Sequence, residues 1–418
     1  MNAGALVAYE IVAGKNPLPT LCSAWSRGER VFLVSKNHST VARQQVLNAA
    51  RVSDVLQTIT HDQAVQKINL DSCPPTASVI IETSGSTAAP RLIELGLDAL
   101  VASARIGARA IAFGPGDLWH ASLPATHIGG LMIHVRSLVL GGAVRHVGAP
   151  KCWSDLNGVT HISLVAAQLA RLLEDTNQPP ASLKAVMLGG GPSSQSLRDS
   201  AVRKGLPMFA TYGMTETASQ VATGSIAIGD AATLVGAPLP GIQVTIDSSN
   251  NEILISSPTL ARGTLVNGAL VPLTVLLRTR DVGFIDTHGR LHIAGRLDAM
   301  FISGGRNIQP ELIERALAEL PGVRSCCVVG IAHAKWGMRP VAFVQLVQAL
   351  QGNSPDSNRP TRNTPRMSLA EQLRQTLEPF LIPDMFFEMP TDDASRMKYS
   401  RSELAQRLVQ GERFRQLD

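Results

Sequence analysis

Ala77-Ser-Val-Ile-Ile-Glu82 runs straight into Thr83-Ser-Gly-Ser-Thr-Ala-Ala-Pro-Arg91, and the stretch from Leu97 to Ile111 then shows helical spacing. The order is apolar strand, polar glycine-bearing loop, helix, which is what a phosphate loop needs. The hydroxyls of Thr83, Ser84, Ser86 and Thr87 surround Gly85 and can donate hydrogen bonds to a polyphosphate beside backbone N–H groups. Arg91 adds charge. The segment is not a Walker A loop, since G-x-x-x-x-G-K-[ST] is absent. Taken alone, a Ser/Thr-rich turn reads equally as an ordinary turn.

Working outward, Arg30–Ser35 predicts a short strand and Thr40–Val55 a helix. Beyond the loop, the strand candidates His161–Val165, Ala185–Leu188 and Pro207–Ala210 alternate with helical stretches at Gln168–Glu174 and Ser194–Lys204. Such alternation predicts an α/β fold with layered, largely parallel sheets. From about 234 to 294, short strand-like runs (Gln243–Asp247, Glu252–Ser256, Arg290–Ile293) are divided by Gly, Pro and Asn, the texture of a β-rich subdomain. After that come a helix at Pro310–Glu319 with Pro at its start, strands at Cys326–Val329 and Val341–Val347, and a helix at Glu371–Glu378. The expected organisation is a large domain over 1–296 and a small α+β domain over 297–418. The polar, Pro-bearing segment 351–366 is expected to be a disordered loop.

Composition narrows the function. Hydrophobic residues make up 44% of the 418, enough for sizeable cores, and aromatics only 4%, too few for a single-strand stacking platform. A net charge of +5 without a dense basic run argues against nucleic acid and suits an enzyme of anionic substrates. The five cysteines match no disulfide or zinc spacing, and Cys326 and Cys327 sit in a strand-like run as core residues, so a reducing cytoplasm is expected. No signal segment and no apolar stretch of membrane-spanning length is read, which predicts neither export nor membrane insertion.

Three further motifs carry chemistry. Thr211-Tyr-Gly-Met-Thr-Glu-Thr217 sets the flat face of Tyr212 beside Gly213, followed by the Thr215 hydroxyl and the Glu216 carboxylate. Glu216 suits Mg2+, which takes oxygen ligands shared with substrate phosphates. The same letters also read as a helix cap. Asp281, in Asp281-Val-Gly-Phe-Ile-Asp286, is suited to grip ribose hydroxyls, and Gly295-Arg-Leu-Asp298 leads to a Gly304–Gly305 pair that also reads as a hairpin turn. Near the end lies Ser395-Arg-Met-Lys-Tyr-Ser-Arg401, whose single Lys398 would be a solvated surface group on its own evidence.

In order and spacing, the four motifs together resemble the adenylate-forming superfamily of acyl-CoA synthetases, carrier-protein adenylation domains and firefly-type luciferases. The resemblance implies a large α/β domain with a small mobile C-terminal lid. His120–Gly130, His161–Leu173, Ser182–Gly191, Phe301–Pro310 and Trp336–Val341, with Ile308-Gln-Pro310 the most telling, are similar to the o-succinylbenzoate–CoA ligase branch of menaquinone biosynthesis. It implies ATP and coenzyme A as co-substrates, Mg2+ on Glu216, and an aromatic carboxylic acid activated as acyl-AMP. The phosphates would lie on Thr83, Ser84, Gly85, Ser86, Thr87 and Arg91, with Thr215 on the α-phosphate. Tyr212, Gly213 and Gly189–Gly190–Gly191 would hold adenine, Asp281 and Arg296 the ribose, and His127 would border the acyl pocket. Lys398 would bridge the carboxylate and α-phosphate, Asp298 would be the hinge, and Gly304 and Gly305 would face the pantetheine arm. Three departures bear on rate rather than fold. The loop carries Ala88 and Arg91 where the superfamily has Gly and Lys, Met397 stands where a Gly precedes the lysine, and the N-terminal portion is short. Two alternatives stay open: another acid or a carrier-protein acceptor, and an adenylate-binding relic without turnover. The partners expected are small molecules, with a homodimer as the open assembly.

Overall fold

The computed structural model describes residues 4–12, 15–36, 40–52, 57–59, 68–83, 91–346, 367–390 and 401–417. The chain divides into two compact units, Met1–Ile293 and Ala294–Asp418.

The first unit is built on two sheets. One has seven strands among the described residues, in the order Ala269–Pro272, Gly263–Val266, Arg91–Gly96, Ser78–Thr83, Arg30–Ser35, Leu6–Ile11, Gln57–Ile59. In its central strands Val31–Val34 and Val79–Ile81 are apolar throughout, because both faces there are covered. Val31, Leu33, Val79 and Ile81 pack toward Leu100 and Leu131, while Phe32, Val34 and Ile80 face Val46 and Leu47 of the helix Thr40–Ala50.

The segment after the polar loop differs from the expectation. The loop is followed by the strand Arg91–Gly96, antiparallel to Ser78–Thr83 from Thr83↔Arg91 to Ser78↔Gly96, and only then by the helix Leu97–Ile111. The loop is therefore a hairpin connection and not a strand-to-helix turn. Glu94 hides this strand, since a carboxylate interrupts its apolar run. It is buried, taking the Arg30 guanidinium at 2.6 Å and a hydrogen bond from the Ser78 hydroxyl at 2.9 Å.

The second sheet runs Gln243–Ile246, Glu252–Ser256, Leu277–Ile285, Leu291–Arg296, Leu234–Pro238, Ser219–Ser225, Met208–Met214, Ala185–Leu188, His161–Leu164, Leu118–His120, Ala143–Arg145. Its half from Met208–Met214 to Ala143–Arg145 is parallel, and the pairs beyond Met208–Met214 toward Gln243–Ile246 that carry a register are antiparallel. Both sheets are thus mixed rather than largely parallel. The short strands between 234 and 296 extend these two sheets and make no sheet of their own.

The second unit is a five-stranded sheet between helices. Ile313 and Leu317 of the helix Pro310–Ala318 pack on Val328, Ala342 and Val344, and Leu404 of the helix Arg401–Val409 packs on Val329, Val341 and Phe343. The expected helix at Glu371–Glu378 is shorter and earlier, Leu369–Leu373, because the Ser368 hydroxyl accepts from Glu371 N at 3.2 Å and so fixes its start. The loop 351–366 lies outside the described residues.

All five cysteines are free. Burial pushes the Cys22 thiol up to about 11, and also raises those of Cys73 and Cys326. Among the described residues, no helix is long and apolar enough to cross a membrane.

Candidate functional site

The strand Met208–Met214 is the axis of the site. It pairs in parallel with Ala185–Leu188, which delivers the loop Gly189–Gly190–Gly191 beside it. A Cβ on Gly189 would lie 2.7 Å from Thr211 Cγ2, and Gly190 has φ +78°, so this loop hugs the strand and leaves Gly190 and Gly191 exposed. The buried Arg198 holds the loop's exit. Its Nε donates to Ser193 Oγ at 2.8 Å and its Nη1 to the Leu234 carbonyl at 2.7 Å.

On its other edge Met208–Met214 pairs with Ser219–Ser225, with a β-bulge between Tyr212 and Gly213. A Cβ on Gly213 would collide with the Ser219 carbonyl oxygen. Gly213→Ala is expected to cost about 1–3 kcal/mol of stability by overpacking, read as a lowered denaturation midpoint. A midpoint equal to the parent's would mean the hairpin has room that the backbone does not show.

The bulge re-aims two side chains. The Tyr212 hydroxyl donates to Asp281 Oδ2 at 2.6 Å, joining the expected base-stacking ring to the expected ribose carboxylate. Asp281 is buried, and its backbone N–H donates to Thr279 Oγ1 at 3.0 Å. Past Met214 the chain makes a single 3-10 turn, Thr215–Thr217, rather than the start of an α-helix. Thr217 Oγ1 accepts from Met214 N at 3.2 Å and closes the turn. Glu216 Oε1 lies 3.2 Å from Arg91 Nη2, while the Glu216 carbonyl accepts from Ala261 N at 2.8 Å. The turn thus brings the expected metal carboxylate against the end of the phosphate-loop hairpin. His127 is exposed at the N-cap of the helix Ile128–Leu140 and is not a packed core histidine.

Arg136 belongs to none of the short motifs. This guanidinium is 1% exposed, its Nη2 donates to Gln220 Oε1 at 2.6 Å, and it lies over the Trp119 ring. Gln220 Nε2 in turn donates to Thr223 Oγ1 at 2.8 Å, and Thr223 Oγ1 to Thr211 Oγ1 at 3.2 Å. A relay of polar side chains therefore runs from a buried cation to the residue before Tyr212. Burial lowers its pKa to about 10, with no carboxylate partner among the described residues. The signal in the sequence is an arginine inside a mostly apolar helix, Ile128–Leu140.

In the second unit, Arg296 makes a two-pronged pair with Asp298, Nε and Nη2 each 2.8 Å from a carboxylate oxygen. Gly304 and Gly305, at φ +56° and +80°, form the turn of the hairpin Phe301–Ser303/Arg306–Ile308, with Trp336 against Gly304. Ser84, Gly85, Ser86, Thr87 and Lys398, together with Ala88 and Met397, lie outside the described residues.

Among the described residues there is no cluster of three or more His, Cys, Asp or Glu side chains that could hold a metal. A lone carboxylate such as Glu216 fits Mg2+ in the one mode where the ion arrives on substrate phosphates.

A family model described as AMP-binding enzyme matches residues 7–265, and one described as AMP-binding enzyme C-terminal domain matches 312–396. The chain is 37% identical over 328 residues to 2-succinylbenzoate–CoA ligase of Salmonella typhimurium, covering 78% of this chain and 67% of that one. It is 38% identical over 292 residues to the Escherichia coli protein of the same name, covering 69% and 63%. The chain thus spans about two thirds or less of the length of these curated relatives. Among solved structures, a variant of E. coli MenE with bound OSB-AMS superposes with a TM-score of 0.79 at 29% identity, covering 97% of this chain and 88% of that chain. The Bacillus subtilis o-succinylbenzoate CoA synthetase in complex with the acyl-adenylate intermediate OSB-AMP gives 0.76 at 25% identity, covering 100% and 90%.

Proposed function

Because the chain belongs to the AMP-binding enzyme family, we propose that it is an AMP-forming acid–CoA ligase acting on o-succinylbenzoate in menaquinone biosynthesis. The supporting observation is the meeting, around one bulged turn, of Tyr212 with Asp281 and of Glu216 with Arg91. These side chains come from distant stretches of sequence, and the turn offers a nucleotide a ring, a ribose acceptor, a carboxylate and a cation.

In the first half-reaction a carboxylate oxygen of the acid attacks the α-phosphorus of ATP, the bond to the β-phosphate oxygen breaks, and pyrophosphate leaves. In the second, the thiolate of coenzyme A attacks the acyl carbon and AMP departs. Such chemistry is chiefly positioning and charge neutralisation. Asp281, oriented by Tyr212, accepts from the ribose hydroxyls. Gly189–Gly191 border the adenine, and Thr83, Ser84, Ser86, Thr87 and Arg91 hold the phosphates. Thr215 donates to the α-phosphate, and Lys398 bridges it to the attacking carboxylate. His127 borders the acid. Mg2+ held by Glu216 would neutralise phosphate charge. Residues 297–418 act as the lid, turning at Asp298 between the two steps, with Gly304 and Gly305 then facing the pantetheine arm. The enzyme works in the cytoplasm, and a homodimer is the assembly to test by light scattering.

The direct test is AMP release from ATP with o-succinylbenzoate, with and without coenzyme A. Acid-dependent pyrophosphate release followed by CoA-dependent thioester formation is expected. ATP binding with no acid-dependent release would overturn the assignment in favour of a non-catalytic binder.

The Arg91–Glu216 pair gives a second prediction. Arg91 is half exposed, so the pair contributes at most about 1 kcal/mol. Arg91→Lys loosens its grip on Glu216 and is expected to lower the Mg2+ concentration for half-maximal ATP binding by about threefold, read by calorimetric titration. A raised requirement would show that Arg91 assists the metal instead of competing with it.

A further inference from the structure

The helix Pro310–Ala318 is tied at both ends to segments named in the mechanism. Toward the hinge, Gln309 Nε2 donates to the Arg296 carbonyl at 2.8 Å, and Arg315 Nη1 donates to the Ala294 carbonyl at 2.8 Å. Gly295, between these carbonyls, has no room for a Cβ, which would collide with the Gln309 amide. Toward the tail, Glu311 and Glu314 lie one turn apart on a single buried face. Arg401, three residues after Lys398, brings Nη2 to 2.9 Å from Glu311 Oε1 and 2.6 Å from Glu314 Oε2. The two groups of contacts are continuous, because Gln309 Nε2 also donates to Glu311 Oε2 at 2.6 Å.

We infer that Gln309, Glu311 and Arg401 are positioning residues for adenylation: they form one polar chain from the hinge carbonyl of Arg296 to the root of the lysine-bearing tail. The inference rests on the reading of Lys398 as the adenylation group. Packing alone does not require this arrangement. The helix is already anchored through Ile313 and Leu317, and Glu314 is already held by the Val328 N–H at 2.8 Å. What Glu311 and Gln309 add is a link between the two ends. Its effect is that the tail's root keeps one place relative to the hinge, which a reaction dependent on ångström-scale placement of an ammonium needs. Burial raises the pKa of Glu314 and the Arg401 charge opposes that rise, so the guanidinium at the tail's root also favours the charged carboxylate beside it.

The test measures both half-reactions on the full chain with ATP and o-succinylbenzoate, and with supplied o-succinylbenzoyl-adenylate and coenzyme A. Arg401→Ala and Gln309→Leu are expected to lower kcat for acid-dependent pyrophosphate release by about 10- to 100-fold, with KM for ATP and acid and the thioester step changed by less than about threefold. Arg401→Lys should restore most of the loss. Gln309→Leu removes no charge and keeps the test decisive if Arg401→Ala does not fold. Equal loss of both half-reactions, or a raised KM at unchanged kcat, would overturn the inference in favour of a merely structural role. Lys398→Ala separates the two levels. If it is inactive in pyrophosphate release while Arg401→Ala and Gln309→Leu are normal, only the inference fails. If Lys398→Ala is itself normal, the underlying reading fails and the inference with it.

Discussion

Lys398→Ala is expected to cut acid-dependent pyrophosphate release by roughly 10²- to 10³-fold, while thioester formation from supplied acyl-adenylate and coenzyme A falls by less than about threefold. Adenylation brings a carboxylate onto an already anionic phosphate, and a positioned ammonium offsets the charge that accumulates as they meet. Thioester formation starts from the mixed anhydride, in which that repulsion has already been overcome. Quenched-flow measurement of each half-reaction separates the two. Equal loss in both would mean that the lysine supports the fold or the nucleotide generally, and the division of labour would be wrong.

The second large effect is on stability. The Arg136 guanidinium is buried with an amide for a partner. Keeping it protonated when burial has lowered its pKa to about 10 costs the fold on the order of 3 kcal/mol at neutral pH. The sign follows from the depressed pKa of a cation. The penalty is fully present below about pH 10 and fades only as the pH climbs toward the group's ordinary value. Arg136→Met fills similar volume without charge. It should therefore raise the unfolding free energy by about 1–3 kcal/mol, while leaving KM for ATP unchanged. Chemical denaturation and steady-state kinetics on the same sample check both halves. A loss of stability would show that the bond from Arg136 to Gln220 outweighs the cost of burying the charge.

Much of the fold could be read in advance where the local pattern and the tertiary environment agree. The strands Arg30–Ser35 and Glu252–Ser256 and the helix Leu97–Ile111 fall where their apolar spacing puts them. The strand Arg91–Gly96 could not be read that way. Its central Glu94 looks like a surface residue until Arg30 and Ser78, distant in sequence, are seen to satisfy it. The site divides on the same line. Tyr212, Glu216 and Asp281 stood out because unusual residues cluster in short motifs. Arg136, Gln220 and Arg401 make their contacts across many residues of chain, which no short window contains. The pairing of Arg91 with Glu216 is likewise invisible from the letters, although each residue stands in a motif of its own.

The free thiols have a consequence for an enzyme of this kind. An acyl-adenylate that strays from its cleft will acylate any good nucleophile it meets, and a thiolate is among the best. Burial holds the Cys22, Cys73 and Cys326 thiols above their ordinary pKa, so at neutral pH these side chains remain protonated and poorly reactive. Under the proposed reaction, the protein is thereby protected, at those three positions, from becoming the wrong acceptor of the activated intermediate.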